Sequence, residues 1–195
     1  MNFGEPFGGL MPGARGAVLA ALLRTGAPLT GRRIHALVGS HSLGAVQQAL
    51  RDLEQVGVIT TETIGRAGVH RINEQHESIA PLRALASPLE ALTRVVRDAA
   101  PGVEAVIVFG SVARGEARAD SDVDLAVIAP QTWDGRADLQ QAVEERIGNN
   151  CDVLHLTNEE FTRAPKEREP VAAEILRDGL PLVGSLPRFG RRRAS

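Results

Sequence analysis

The feature that most constrains this chain is a pair of apolar stretches, Val103–Phe109 and Asp122–Ile128, joined by a short polar segment. The first is nearly continuous in apolar residues and is bounded by Gly102 and Gly110, as expected of a buried strand. In the second, Val123, Leu125 and Val127 alternate with Asp122, Asp124 and Ala126, the period-two pattern of a strand. Gly110-Ser111 follows the first strand directly, and ten residues separate Ser111 from Asp122. Further elements fit around this pair. Asp138–Ile147 reads as an amphipathic helix, Asp152–Leu156 as another strand, Val171–Arg177 as a helix and Leu180–Val183 as a short final strand. The expected fold class is α/β (α+β), with a small mixed sheet flanked by helices.

The earlier part of the chain has a different rhythm. Met1–Gly13 is rich in Gly and Pro and reads as an arm. Ala14–Arg24 is helical, with Val18, Leu19, Leu22 and Leu23 forming an apolar stripe. A second short helix, Gly31–Val38, turns Ile34, Leu37 and Val38 inward. A third runs from Ser42 to Gln55, with Ser42 as N-cap and Val46, Leu50, Leu53 and Val56 on one face. Gly57 ends it. Val58–Ile64 and Val69–Ile72 read as a hairpin around Gly65-Arg66-Ala67-Gly68. Ser78–Ala99 is helical and bent or broken at Pro88. The expected organisation is a domain at 1–77, a second at 78–187, and a basic tail at 188–195 holding four arginines.

Composition limits the functions open to such a chain. Its 195 residues suit one medium domain or two small ones. Aromatic residues make up only 3%, which disfavours stacking platforms for single-stranded nucleic acid. The net charge of −2 disfavours a generally basic nucleic-acid binder. Residues 1–77 carry seven arginines against six acidic residues, a net of +1, so any duplex binding there would need a local patch or dimerisation. The single cysteine, Cys151, allows no internal disulfide and suits a reducing cytoplasm. No signal peptide is visible at Met1–Gly9, and Ala17–Leu23 is too short to span a bilayer, so no membrane association is expected.

The chemistry concentrates at Gly110–Leu125. Residues two apart in a strand project to the same side, so Asp122 and Asp124 point together while Val123 and Leu125 enter the core. Two close carboxylates repel unless a cation sits between them, and hard divalent cations such as Mg²⁺ prefer these oxygen ligands. Two metals about 3.5–4 Å apart stabilise both the attacking and the leaving oxygen of an in-line displacement. Gly110 lets backbone approach a phosphate. Ser111 offers a hydroxyl and an amide near a helix start. Arg114 either pairs with phosphate bidentately or locks the turn through an ion pair. Asp120 reads as a solvated loop residue, Cys151 as a core or edge residue rather than a nucleophile, and His155 as packed rather than a ligand.

This pattern of strand, Gly110-Ser111, ten residues and Asp122-Val123-Asp124 resembles the minimal nucleotidyltransferases of the DNA polymerase β-like superfamily. The resemblance covers residues 103–156 and extends, less firmly, to 183. It implies a third carboxylate on a later strand, here Asp152, which completes a metal's shell and accepts the proton of the attacking hydroxyl. It also implies a nucleoside triphosphate such as ATP as substrate, Mg²⁺ as two ions, and transfer of a nucleoside monophosphate to a hydroxyl. Stand-alone members of this size act as antitoxins that nucleotidylate a partner toxin protein; others modify small molecules such as aminoglycosides. Residues 1–77 resemble the winged helix-turn-helix modules of bacterial transcription regulators. That resemblance implies double-stranded DNA as a partner, read by Gln47, Gln48 and Arg51 of the third helix. Gly44 and Gln55 share that helix face, Arg66 in the wing can reach a minor groove or a phosphate, and Arg32 and Arg33 are further phosphate candidates. A homodimer would read two half-sites. Two alternatives remain at this level. The helix face can instead be a protein-binding surface, and the second domain can sense nucleotide in a regulator without turnover.

Overall fold

A computed structural model describes residues 1–163 and 170–186. The expected basic tail at 188–195 lies outside the described residues. Contacts divide the chain into two units, broken between Pro88 and Leu89. The sequence places the break earlier, at 77/78. The difference arises because the helix after residue 78 buries Ile79, with Leu82 and Ala86 partly buried, against the first unit's core.

The first unit contains α1 (Ala14–Thr25), β1 (Leu29–Thr30), α2 (Gly31–Val38), α3 (Leu43–Gln55), β2 (Ile59–Ile64), β3 (Ala67–Ile72) and α4 (Ile79–Ala86). Side-chain caps set two of these helix starts. Thr30 Oγ1 accepts from Arg33 N at 3.3 Å, and Ser42 Oγ accepts from Ala45 N at 3.2 Å. Each occupies one of the amides that a helix start leaves without an internal partner. The strands form a three-stranded antiparallel sheet in the order β1-β3-β2. The core collects Val18, Leu19 and Leu22 of α1, Ile34 of α2, and Val46, Leu50 and Leu53 of α3.

Several local expectations change. The Gly/Pro-rich start is not a free arm: Pro6–Gly9 forms a turn of 3-10 helix and Phe7 is buried in the core. Val56 and Leu37, expected inward, are exposed. The hairpin turn is tighter than four residues, since Ile64 pairs with Ala67 and leaves only Gly65-Arg66 between the strands. Gly65 takes the positive φ of 64° that such a turn requires. β1 is too short to leave a period in the sequence.

The second unit contains α5 (Pro88–Ala99), β4 (Ala105–Phe109), α6 (Gly110–Ala113), β5 (Val123–Ile128), α7 (Arg136–Ile147), β6 (Cys151–Leu156), α8 (Asn158–Arg163), α9 (Pro170–Asp178) and β7 (Leu180–Val183). The sheet order is β6-β5-β4-β7; β5 and β6 run parallel, and β4 is antiparallel to both β5 and β7. Both faces are covered. Val106, Val108, Val123, Leu125, Val127, Cys151 and Val153 pack with Leu92, Val96, Leu139 and Val143 on one side. Ala105, Ile107, Ala126 and Ile128 pack with Phe161 of α8 and Ile175 of α9 on the other. Two covered faces explain why β4 reads as a continuous apolar run rather than an alternating one. Among the described residues, no helix is long and apolar enough to cross a membrane.

Candidate active site

The strand registers assemble the carboxylates. β5 and β6 start side by side, with Val123 paired to Cys151 and Asp124 to Asp152. Parallel neighbours in register point to the same face, so the buried pair Val123 and Cys151 forms core while Asp124 and Asp152 emerge on the opposite face. Asp122 precedes β5 by one residue and is exposed, as is Asp152; Asp124 is half-buried. Phe109, the last residue of β4, pairs with Asp124, so the chain turns into α6 directly beside that carboxylate.

Gly110 makes this turn possible. Its φ is 67°, and a Cβ there would collide with Asp124 Oδ2 and sit 3.2 Å from Asp124 Cγ. A glycine at this point of the motif therefore makes room for the carboxylate as well as supplying the left-handed backbone. Ser111 follows as the second residue of the four-residue α6 and is partly exposed.

Burial and neighbouring charge act together on Asp124. Desolvation raises its pKa most, and the carboxylates of Asp152, Asp122 and Glu174 raise it further, against an opposing pull from Arg114. The cluster therefore holds more negative charge than the bare protein favours. Carboxylate oxygens are the ligands a hard divalent cation prefers, but among the described residues no group of three or more His, Cys, Asp or Glu side chains is placed to hold a metal ion. Cys151, behind the carboxylates, has its thiol pushed up to about 12, first by burial and then by Glu144, Asp152 and Asp124. A thiol held neutral is no nucleophile. His155 packs edge-on against Trp133 with ring centroids 5.0 Å apart, and its Nε2 lies 3.3 Å from the Ala129 carbonyl oxygen. Asp120 lies in an exposed turn.

Arg114 makes two ion pairs. Nε donates to Glu116 Oε2 at 2.8 Å and Nη1 donates to Glu174 Oε1 at 2.5 Å. Of the two roles that the sequence leaves open, the ion pair is the one formed in this structure. Three residues near the carboxylates escape sequence reasoning. Glu174 arrives from α9, far along the chain. Asn149, buried at 5% exposure, donates to the Ser121 carbonyl at 2.9 Å and fixes the backbone just ahead of Asp122. Asn150 Nδ2 donates to Asp122 Oδ1 at 3.1 Å, while its carbonyl accepts from Val123 N.

In the first unit, Gln47, Gln48 and Arg51 are exposed on α3, together with Gly44 and Gln55. Two of them are engaged. Arg51 Nη2 donates to Gln48 Oε1 at 2.6 Å, and Gln48 Nε2 donates to Asp52 Oδ1 at 2.7 Å. Arg15 of α1 pairs with the same Asp52 and is the main cause of its lowered pKa. Arg66 of the hairpin turn and Arg32 at the start of α2 line one cleft of about 470 Å³. Arg33 is exposed beside them in sequence.

With this geometry in place, likeness to known proteins narrows the reading. Residues 90–180 match the family model for Polymerase beta, Nucleotidyltransferase. The nucleotidyltransferase superfamily is thus supported for the second unit. The chain is 30% identical over 67 residues to protein adenylyltransferase MntA of Shewanella oneidensis, which covers 33% of this chain and 48% of that protein. The chain therefore spans about half the length of this curated relative. A crystal structure of a toxin-antitoxin with AMP-PNP is similar at 23% identity, covering 50% of this chain and 73% of that one with a TM-score of 0.38. A structure of TrmBL2, described as an archaeal chromatin protein with a novel mode of DNA binding, is similar at 18% identity. It covers 81% of this chain and 70% of its own with a TM-score of 0.31. At these TM-scores neither structure supports a shared fold.

Proposed function

We propose that the second unit is a Mg²⁺-dependent nucleotidyltransferase that moves a nucleoside monophosphate, AMP from ATP, onto a hydroxyl of a protein or small-molecule acceptor. The observation that carries this reading is the pairing of Asp124 with Asp152 at the starts of β5 and β6, with Asp122 two residues before Asp124 and Gly110 against it. Mg²⁺ needs only one or two protein carboxylates when substrate phosphates complete its shell, so the open arrangement fits it. When bound, the metal supplies neutralisation of the charge that develops on the transferring phosphoryl group. Asp122 and Asp124 would hold the metal. The Ser111 hydroxyl and the amides at the start of α6 would take the phosphates. Asp152 takes the proton from the acceptor hydroxyl as the new phosphate ester bond forms and pyrophosphate leaves.

The relative's name, protein adenylyltransferase, favours AMP as the transferred group and a protein as acceptor. The proposed acceptor is a partner toxin protein, with this chain as its antitoxin. For the first unit we propose a winged helix-turn-helix that binds double-stranded DNA as a homodimer. There Gln47, Gln48 and Arg51 read base edges and Arg66 holds the backbone. The three helices, the hairpin and the shared cleft of Arg32 and Arg66 support this reading.

A second reading is a DNA-binding regulator whose second unit senses nucleotide without turnover; both readings require triphosphate binding. Pyrophosphate release separates the two. Incubation with labelled ATP, Mg²⁺ and the product of the neighbouring gene should give labelled protein and pyrophosphate, both lost in Asp122→Asn/Asp124→Asn. ATP binding with neither product would leave the sensing role.

A further inference from the structure

We propose that Glu174 is the resting partner of Arg114 and releases it when a triphosphate binds, so that Glu174 positions Arg114 and sets nucleotide affinity. This rests on the nucleotidyltransferase reading of the second unit. A guanidinium recognises phosphate through pairs of parallel N–H donors, either side-on through Nε and one terminal nitrogen or end-on through both terminal nitrogens. In Arg114, Glu116 takes Nε and Glu174 takes Nη1, so each pair has one member engaged. Two carboxylates on one guanidinium also leave a net negative charge. Asp124 lies within electrostatic reach of both, Glu174 raising its pKa and Arg114 lowering it. A polyanionic triphosphate can gain Arg114 only by displacing one of the two carboxylates.

Glu174 is the one that yields. Glu116 sits only two residues from Arg114 in the chain, so their pair is local and can persist when Arg114 turns. Glu174 stands on α9, a separate element held to the sheet by Ile175 with Leu176 beside it, so its distance from Arg114 changes whenever Arg114 turns toward a ligand. The pair is about one-third exposed on both sides, 32% and 31%, so its strength is modest and its release is small beside the free energy of nucleotide binding.

The test is calorimetric titration of the full chain with ATP in Mg²⁺. Compared proteins are wild type, Glu174→Gln, Glu174→Asp, Arg114→Gln and Arg114→Gln/Glu174→Gln. Unfolding followed by Trp133 fluorescence serves as the folding control. Glu174→Gln should bind ATP about two- to five-fold more tightly, lowering KM for ATP without a proportional change in kcat. Glu174→Asp keeps the charge but shortens the reach, and should also tighten binding. The gain should shrink in the Arg114→Gln background. Weaker binding by Glu174→Gln, an equal gain with and without Arg114, or no gain in Glu174→Asp would each overturn the proposal. Absence of ATP binding by wild type would instead remove the nucleotidyltransferase reading, and this inference with it.

Discussion

Replacing Gly110 with alanine tests how the site is built. Two costs are expected. The backbone must hold a non-glycine residue at φ 67°, a left-handed conformation worth roughly 1–2 kcal/mol against an L residue. The new Cβ must also push the Asp124 carboxylate aside, because it would meet Oδ2 in collision and Cγ at 3.2 Å. The two costs separate in an Asp124→Ala background. There only the residue-124 Cβ remains, at 3.6 Å, an ordinary contact. Gly110→Ala should therefore cost about 1–2 kcal/mol in the Asp124→Ala chain and at least about 0.5 kcal/mol more in the wild-type chain, the coupling usual between touching residues. The assay is urea unfolding followed by fluorescence of Trp133, the single tryptophan, which packs on the second unit's core and reports that unit. Equal costs in the two backgrounds would refute the close approach of Gly110 to Asp124. No cost in either would refute the left-handed backbone.

Other outcomes follow from the same geometry. Asp124 has its folded pKa raised, so the metal-free fold loses stability as pH climbs from the ordinary aspartate value of 3.8 through the raised value. Asp124→Asn should thus match wild type in acid and exceed it at neutral pH in chelator-treated thermal melts; a variant less stable at neutral pH would contradict this. Asn149→Leu leaves the Ser121 carbonyl without its buried donor and should cost about 1–3 kcal/mol in Trp133-monitored unfolding. Cys151, with its thiol pushed up to about 12, should resist alkylating reagents at neutral pH until the chain unfolds, as mass spectrometry of the intact protein would show. For the first unit, Arg51→Ala should relax sequence preference at a cost of about 1–3 kcal/mol, whereas Arg66→Ala should weaken all duplexes alike and flatten the salt dependence by about one unit of slope. Gel shifts on the chain's own promoter region with no binding above random duplex would leave the module to protein contacts.

The elements that bear the carboxylates are legible in the sequence because each leaves a local signature. β4 and β5 show buried-strand patterns, and the period of two by itself puts Asp122 and Asp124 on one side. Asp152 is legible only through family resemblance; the register that sets it beside Asp124 is a tertiary fact. Glu174 leaves no signal, since a charged residue on the amphipathic α9 reads as solvated until the helix packs beside α6. Asn149 looks like a turn residue after α7 because its hydrogen bonds reach a backbone segment 28 residues away. Phe7 is hidden by its Gly and Pro neighbours, which suggest an arm when the chain in fact turns them to bury one aromatic ring. The helix 78–86 reads as belonging to the second unit because composition cannot tell which core will receive Ile79 and Leu82.

If Asp122 and Asp124 hold a metal-bound triphosphate, binding itself reports it. Isothermal calorimetry of wild type with ATP in Mg²⁺ should show saturable binding that chelator abolishes. Asp122→Asn/Asp124→Asn should lose it while its Trp133 unfolding midpoint stays equal or rises, because two repelling charges are gone. Unchanged Mg²⁺-dependent ATP affinity in that double variant would show that Asp122 and Asp124 do not hold the metal-bound nucleotide.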